Sequence, residues 1–259
     1  MKPLVFFSFG MTKSGSTLGF ELARSALILA GFDQPRLSLD AVENRKKLNF
    51  CDHIDAAQAK AIKKEVKEIG HMIVIKTHTR PDPDVIAMLQ AQEAIGHAIY
   101  RDPRDIALSM LDHGKVSRAQ GVQEFSEFHE LEDTIEEIKH QTNSLLGWLS
   151  MPNVTPIYYE DLGFATKEAA QGIVEQLDLD VDPDTVVKSA LARPNQRNRV
   201  KSERHKSEMS ELQSTEFKRI FAPMYDRLID NRDALPKDGS AVLDPALPLC
   251  DWSQPTTPQ

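Results

Sequence analysis

The apolar residues gather in four short, dense runs, at 4–9 (LVFFSF), 72–75 (MIVI), 97–100 (HAIY) and 154–159 (VTPIYY). Continuous runs of this length, rich in Val, Ile and aromatics, predict strands buried on both faces. Pro156 cannot donate to a strand ladder, which puts the fourth run at a sheet edge or a strand start. Between the runs the pattern changes period. Over 17–30, Leu18, Leu22, Ala26 and Leu29 share one helix face, and Gly31 is a natural stop. Helices are also predicted over much of 40–70, over 84–93, from Pro103 onward, over 123–150, over 167–177 and over 211–232. Pro81 and Pro83 mark a loop, and 193–210 is polar and basic. From Leu235 on, five prolines predict a tail that wraps the surface or stays loose. No repeat is visible. The expected organisation is one α/β domain over 1–235 and a Pro-rich tail over 236–259. Alternating strands and helices predict right-handed βαβ units: a central parallel β-sheet flanked by helices on both faces. Such sheets bind ligands at the carboxyl ends of their strands.

Composition narrows the class. Of 259 residues, 41% are hydrophobic and 27% charged, the balance of a folded globular chain. The longest apolar stretch, 26–31, is far short of the ~20 residues a spanning helix needs, so no membrane partner is expected. Residues 1–9 could pass for a short signal core. They lack a small-residue cleavage site and run straight into a glycine motif, so they are read as a strand. Cys51 and Cys250 cannot make a disulfide framework, and neither stands in a zinc-ligand spacing. No metal and a reducing, cytoplasmic location are expected. The net charge of −8 argues against nucleic acid as a partner, but it leaves room for a local basic pocket.

The chemistry is sought just after each strand. The first leads into Gly10-Met11-Thr12-Lys13-Ser14-Gly15-Ser16-Thr17. Two glycines permit backbone angles that turn several N–H groups onto one anion. The positive helix end, the Lys13 charge and the Ser16 and Thr17 hydroxyls complete a phosphate cradle. A plain Gly/Ser turn is the blander alternative, disfavoured by the strand-loop-helix context. The nucleotide-triphosphatase P-loop, G-x-x-x-x-G-K-[ST], matches at Gly10 and Gly15, but Ser16 stands where its lysine belongs. The second strand leads to Lys76-Thr77-His78. A histidine there can act as a general base near neutral pH, although a lone histidine is more often structural. The third leads to Tyr100-Arg101-Asp102-Pro103-Arg104-Asp105, and Ser109 follows in the helix that Pro103 opens. Arg101 and Ser109 can clamp a second phosphate. The alternative is a surface ion-pair cluster of Arg101, Asp102, Arg104 and Asp105. The fourth ends in Tyr158-Tyr159-Glu160-Asp161-Leu162, whose aromatics can stack on a base or simply pack.

Together these segments resemble the cytosolic-type sulfotransferase family, bacterial-like members included, which uses 3′-phosphoadenosine 5′-phosphosulfate (PAPS). TKSGST (12–17) is similar to that family's P-K-S-G-T-T loop, and KTH (76–78) to its K-T-H strand end. YRDPRDIALS (100–109) resembles its Y-R-[ND]-P-[KR]-D-x-x-x-S element, and YYEDL (158–162) its Y-E-D-[LM]. The motifs keep the family order within 4–162, and a weaker likeness continues to about residue 230. The resemblance implies a P-loop-like sulfotransferase fold and a metal-free transfer of a sulfuryl group to a hydroxyl or amine of a small acceptor. It implies that Lys13, Ser14, Gly15, Ser16 and Thr17 hold the 5′-phosphosulfate, with Lys13 also steadying the leaving phosphate. Arg101 and Ser109 would bind the 3′-phosphate, and Tyr159 would lie near the adenine. His78 would take the acceptor's proton, and Lys76 would help with charge at the sulfuryl group. Golgi-type carbohydrate enzymes usually place a glutamate where His78 stands. The histidine tilts the expectation towards small alcohols, phenols or amines.

Two family elements are poorly kept. The late R-K-G-x-x-G-D-W-K string is absent. In its place 193–206 carries Arg193, Arg197, Arg199, Lys201, Arg204 and Lys206 against Glu203 alone. This stretch is either a loop closing on an anionic ligand, with Arg199 nearest the family arginine, or a solvated basic loop. The dimer motif K-x-x-x-T-V-x-x-x-E fits at Lys206 but not at Ser210, Glu211 or Thr215, which leaves the oligomeric state open. Cys51-Asp52-His53 does not make a metal site. His71, His97 and His113 read as surface or packing residues, and Phe125 and Phe128 as packing or acceptor lining. Two functions compete: a P-loop kinase or phosphotransferase, and a non-catalytic nucleotide-binding protein on the same fold. The first lacks its lysine at Ser16 and has Glu160-Asp161 as its only acidic strand end for Mg²⁺. The second does not explain why Lys13, His78, Arg101 and Ser109 are all present.

Overall fold

The computed structural model describes residues 5–38, 41–42, 47–193, 201–236 and 240–244. Four strands, β1 (Val5–Gly10), β2 (Ile73–Thr77), β3 (Ala94–Tyr100) and β4 (Val154–Tyr158), form one sheet of order β2-β1-β3-β4. Every pairing in it is parallel. Helices fill the crossovers: α1 (Ser16–Leu29) and α2 (Ala56–Ile69), then α3 (Pro83–Gln90), then α4 (Pro103–Gln120) and α5 (Ile135–Leu149). After β4 come α6 (Tyr159–Phe164), α7 (Thr166–Gln176), α8 (Pro183–Leu191), α9 (His205–Glu208) and α10 (Glu211–Ile220). No helix among the described residues is long and apolar enough to cross a membrane.

β1 is central and buried along its whole length. Because side chains alternate across a strand, its residues feed two cores. Val5, Phe7 and Phe9 join one with Ile62 of α2, Met88 of α3 and Trp148 of α5. Trp148 packs on Phe7 and Phe9 at ring separations of 5.5 and 5.7 Å. Phe6 joins the other with Leu22 of α1, Ile173 of α7 and Val186 of α8. Burying each such aromatic contributes roughly 1.5–3 kcal/mol, so β1 anchors both layers and holds its carboxyl end fixed.

The elements differ from the sequence pattern in instructive ways. β2 runs on through Lys76 and Thr77, which pair with Ser8 and Phe9 although they are polar. β3 starts at Ala94 rather than at 97, because Gly96 interrupts the apolar run without interrupting the ladder. Its Cβ would lie 2.3 Å from the Phe7 carbonyl, so a side chain has no room there. β4 is the edge strand that Pro156 favours, and it stops at Tyr158, with Tyr159 opening α6. Within 40–70 the described helix is only α2, begun by a capping box of Asp55 and Gln58. α3 ends at Gln90. The segment 121–131 before α5 is irregular, not helical. The helix expected over 211–232 breaks at Phe221, because Pro223 has no N–H to give the preceding turn, and the chain resumes as a short α-helical turn over Ala222–Met224 that runs into a π-helical turn over Tyr225–Ile229. α8 went unread, since only Val186 and Ala190 of its nine residues are buried. Of the tail, Val242 and Leu243 donate backbone hydrogen bonds to the Leu149 carbonyl, and 245–259 lie outside the described residues.

Candidate functional site

A cavity of about 730 Å³ opens where β1, β2 and β3 end. Its floor is the turn from β1 to α1. A Cβ on Gly10 would stand 2.6 Å from Ser16 Cβ, so only glycine lets the turn fold back on the strand end. Lys13 and Gly15 adopt left-handed backbone angles, with φ of 67° and 81°. Gly15 caps α1 with no side-chain hydrogen bond, and no acidic residue follows in the first turn. The positive end of α1 is therefore left for an anion.

Gly15, Ser16 and Thr17 line the cavity, but Ser14 does not. Ser14 is buried, and its hydroxyl donates to the Met11 carbonyl at 2.6 Å and the Ile99 carbonyl at 3.2 Å, bracing the turn against β3. A second brace comes from α5. The Thr12 N–H donates to Gln141 Oε1 at 2.5 Å, and Gln141 Nε2 donates back to the Thr12 hydroxyl at 2.5 Å.

Lys13 reaches across the cavity to α4, where its ammonium donates to His113 Nδ1 at 2.9 Å. Burial lowers its pKa from the ordinary lysine value, and nearby Glu124 opposes that shift. From the end of β2, Lys76 donates to the Thr17 hydroxyl at 2.8 Å. Burial, with Lys47 second, pushes the Lys76 pKa down to about 8. His78 Nδ1 donates to the Gly10 carbonyl at 2.6 Å. A carbonyl can only accept, so Nδ1 carries the proton and Nε2 keeps its lone pair. Burial, with Lys76 second, pushes His78 down to about 3 and keeps the ring neutral. Phe50 packs against it at a ring separation of 5.5 Å.

Arg101 leaves β3 buried. Its guanidinium donates to the Lys13 carbonyl at 3.2 Å and the Lys201 carbonyl at 2.7 Å, and it lies 4.0 Å over the Tyr159 ring. Asp105, fully buried, accepts from Arg101 at 3.4 Å and from the His205 backbone and ring at 3.0 and 2.8 Å. Asp102 caps α4 through Arg104 N, pairs with the Arg104 guanidinium at 2.6 Å and accepts from the Tyr225 hydroxyl. The surface ion-pair reading is thereby corrected. All four charged residues are buried, with Asp105 at 0% exposure and Arg104, the most open, at 7%. Ser109 lines the cavity one turn further along α4.

The basic stretch is less free than its composition suggests. Arg193 lies 3.7 Å from Glu21, Arg204 pairs with Asp112 and Glu208, and Lys206 pairs with Glu203. Lys201 and Arg204 line the cavity. Arg197 and Arg199 lie outside the described residues. Phe125 faces the cavity, while Phe128 behind it is buried in the core. Sequence reading missed Gln141, Glu124 and His113 as parts of the site. His113 had one usable signal: it follows Ser109 by four residues and so shares its helix face.

A model of the sulfotransferase domain matches residues 6–221. A search of curated proteins finds no match. Among solved structures, mouse sulfotransferase SULT7A1 complexed with PAP aligns with a TM-score of 0.53 at 15% identity, over 88% of this chain and 87% of that one. A sulfotransferase from Alicyclobacillus acidocaldarius aligns with a TM-score of 0.43 at 17% identity, over 89% and 95%. At 15% identity the likeness to SULT7A1 is one of fold.

Proposed function

Because the chain belongs to the sulfotransferase domain family, we propose that its cavity transfers a sulfuryl group from PAPS to a hydroxyl or amine of a small acceptor. One observation carries this reading. Two cations and a neutral histidine, Lys13, Lys76 and His78, come from two strand ends to one cavity beside an uncapped helix end.

Each group has work that its geometry supports. Gly15, Ser16 and Thr17 at the α1 end suit the 5′-phosphosulfate. Lys13 suits the bridging oxygen, where charge grows as the S–O bond breaks, and Lys76 suits the sulfuryl oxygens. Arg101 and Ser109 suit the 3′-phosphate, with Arg101 exchanging the Lys201 carbonyl for a phosphate oxygen, and Tyr159 suits the adenine. The acceptor's O–H or N–H donates to His78 Nε2. Its proton moves to that nitrogen as the new bond to sulfur forms, and adenosine 3′,5′-bisphosphate (PAP) leaves. The Gly10 carbonyl stabilises the imidazolium, and donor charge beside Lys76 offsets the repulsion that depresses the His78 pKa.

Calorimetry tests the donor. PAP should bind at micromolar strength whether or not EDTA is present, and ATP with Mg²⁺ should bind worse. The reverse order would make the chain a phosphotransferase. Labelled PAPS with phenols, alcohols, amines and sugars then tests transfer. Near-normal turnover by His78→Ala in that assay would remove His78 as the base.

A further inference from the structure

We propose that His113, oriented by Glu124, is a positioning residue for Lys13: a neutral acceptor that holds the ammonium over the cavity without neutralising it. The pairing stands on geometry, while its catalytic consequence rests on the sulfotransferase reading above.

An ammonium can only donate, so the 2.9 Å contact from Lys13 makes His113 Nδ1 the acceptor and leaves the proton on Nε2. Glu124 lies 3.8 Å from Nε2 and favours that tautomer. Phe125, at φ 62°, sets its ring edge-on to His113 at 5.0 Å and 5.7 Å from the Lys13 ammonium.

The segment carrying Glu124 and Phe125 is itself fastened to α4. At Gly114, next to His113, a Cβ would stand 2.4 Å from the Phe125 carbonyl, so the two backbones touch with no side chain between them. Arg118, one turn on, donates to the Ser126 and Phe128 carbonyls, each at 2.8 Å. These contacts deliver Glu124 to the outer nitrogen of a ring whose inner nitrogen meets Lys13.

The order lysine, imidazole, carboxylate has a physical consequence. Glu124 and Asp112 both attract Lys13. A direct ion pair would hold the lysine but cancel the charge that the leaving phosphate needs. An imidazole between Lys13 and Glu124 fixes a flexible four-carbon chain and leaves its charge facing the cavity. Protonation of His113 would end this, since an imidazolium cannot accept from an ammonium and repels it. The groups bearing on His113 are Lys13 from the β1–α1 turn, which opposes its protonation along with burial, and Glu124 from the 121–131 segment, which favours it.

The test has two arms on the full chain. In the first, the ring Cε1–H of His113 is followed by NMR against pH without donor or acceptor, with His113→Asn to assign the signal. Lys13→Met should raise the midpoint by removing a repelling charge, and Glu124→Gln should lower it. A midpoint unmoved in Lys13→Met overturns the pairing. In the second, His113→Ala should lower kcat about tenfold while PAP affinity stays within about twofold. Asn carries Oδ1 near the place of Nδ1, so His113→Asn should recover most of that loss and remove the acid-side fall that His113 protonation contributes, leaving that of His78. Wild-type kcat in His113→Ala, or an equal loss of PAP binding, overturns the positioning role. Midpoints that move as expected in a protein that transfers no sulfuryl group would uphold the pairing and sink the functional reading instead.

Discussion

Two strand-to-helix turns face the same cavity and start their helices by opposite means. After β1 the turn has no acidic residue, and its helix cap, Gly15, has no side chain to occupy the first N–H groups. After β3, Asp102 caps α4 through Arg104 N, and Asp105 adds a second carboxylate in the first turn. The α4 end is satisfied from within, so under the proposed function an anion there falls to side chains, Arg101 and Ser109. At the first turn the backbone offers the site. At the second the backbone is spent on stability, and only projecting groups remain. Truncations should therefore cost stability at the carboxylates of the second turn and function at its cation. The first turn should be vulnerable at its single charged side chain.

The largest expected effect is on folding. Asp102→Ala removes the cap and leaves the buried Arg104 guanidinium without its carboxylate, a loss of about 3 kcal/mol in urea denaturation. A loss below roughly 1 kcal/mol, the size of an ordinary cap, would mean that Arg104 finds another partner and that the second turn is not committed to stability. Next, Lys13→Ala should lower kcat at least ~10²-fold with an unchanged unfolding midpoint. A loss of stability of similar size would erase the contrast between the turns. Third, Arg101→Ala should weaken PAP binding by about tenfold to thirtyfold, roughly 1.5–2 kcal/mol, since each charge-assisted hydrogen bond contributes on that scale. Unchanged affinity would dissolve the clamp. The smallest effect is the pH dependence of donor binding. Lys76 is cationic below its depressed pKa of about 8 and loses its charge as pH rises through that value, so PAPS affinity should fall there. Lys76→Met should bind PAPS less tightly at neutral pH and lose the fall centred on the Lys76 value of about 8.

The contrast between the turns was already visible in the letters. The first reads Gly-Met-Thr-Lys-Ser-Gly with no acid, and the second holds two aspartates around a proline. The strands were legible because burial on both faces leaves an unbroken apolar run. Their ends were less so, since Lys76 and Thr77 are polar and still belong to the ladder. Motif reading put Ser14 among the ligand contacts because the letters say only that a hydroxyl is present. Its direction depends on the Met11 and Ile99 carbonyls, one of them 85 residues away. Gln141 and Thr12 meet across 129 residues, and no local period announces such a pair. The break of the last helix, by contrast, was readable at Pro223 and was overlooked because the apolar period on either side is good.

The carbonyl of Gly10 gives the site a genetic property. His78 owes its tautomer to a backbone atom of the same residue that begins the β1–α1 turn. No single substitution can delete that partner, since every residue carries a carbonyl. It can be lost only by moving the end of the central strand, which would dismantle the turn as well. The proposed base and the β1–α1 turn would therefore be inherited together. Changes in the surrounding loops would leave this shared joint untouched.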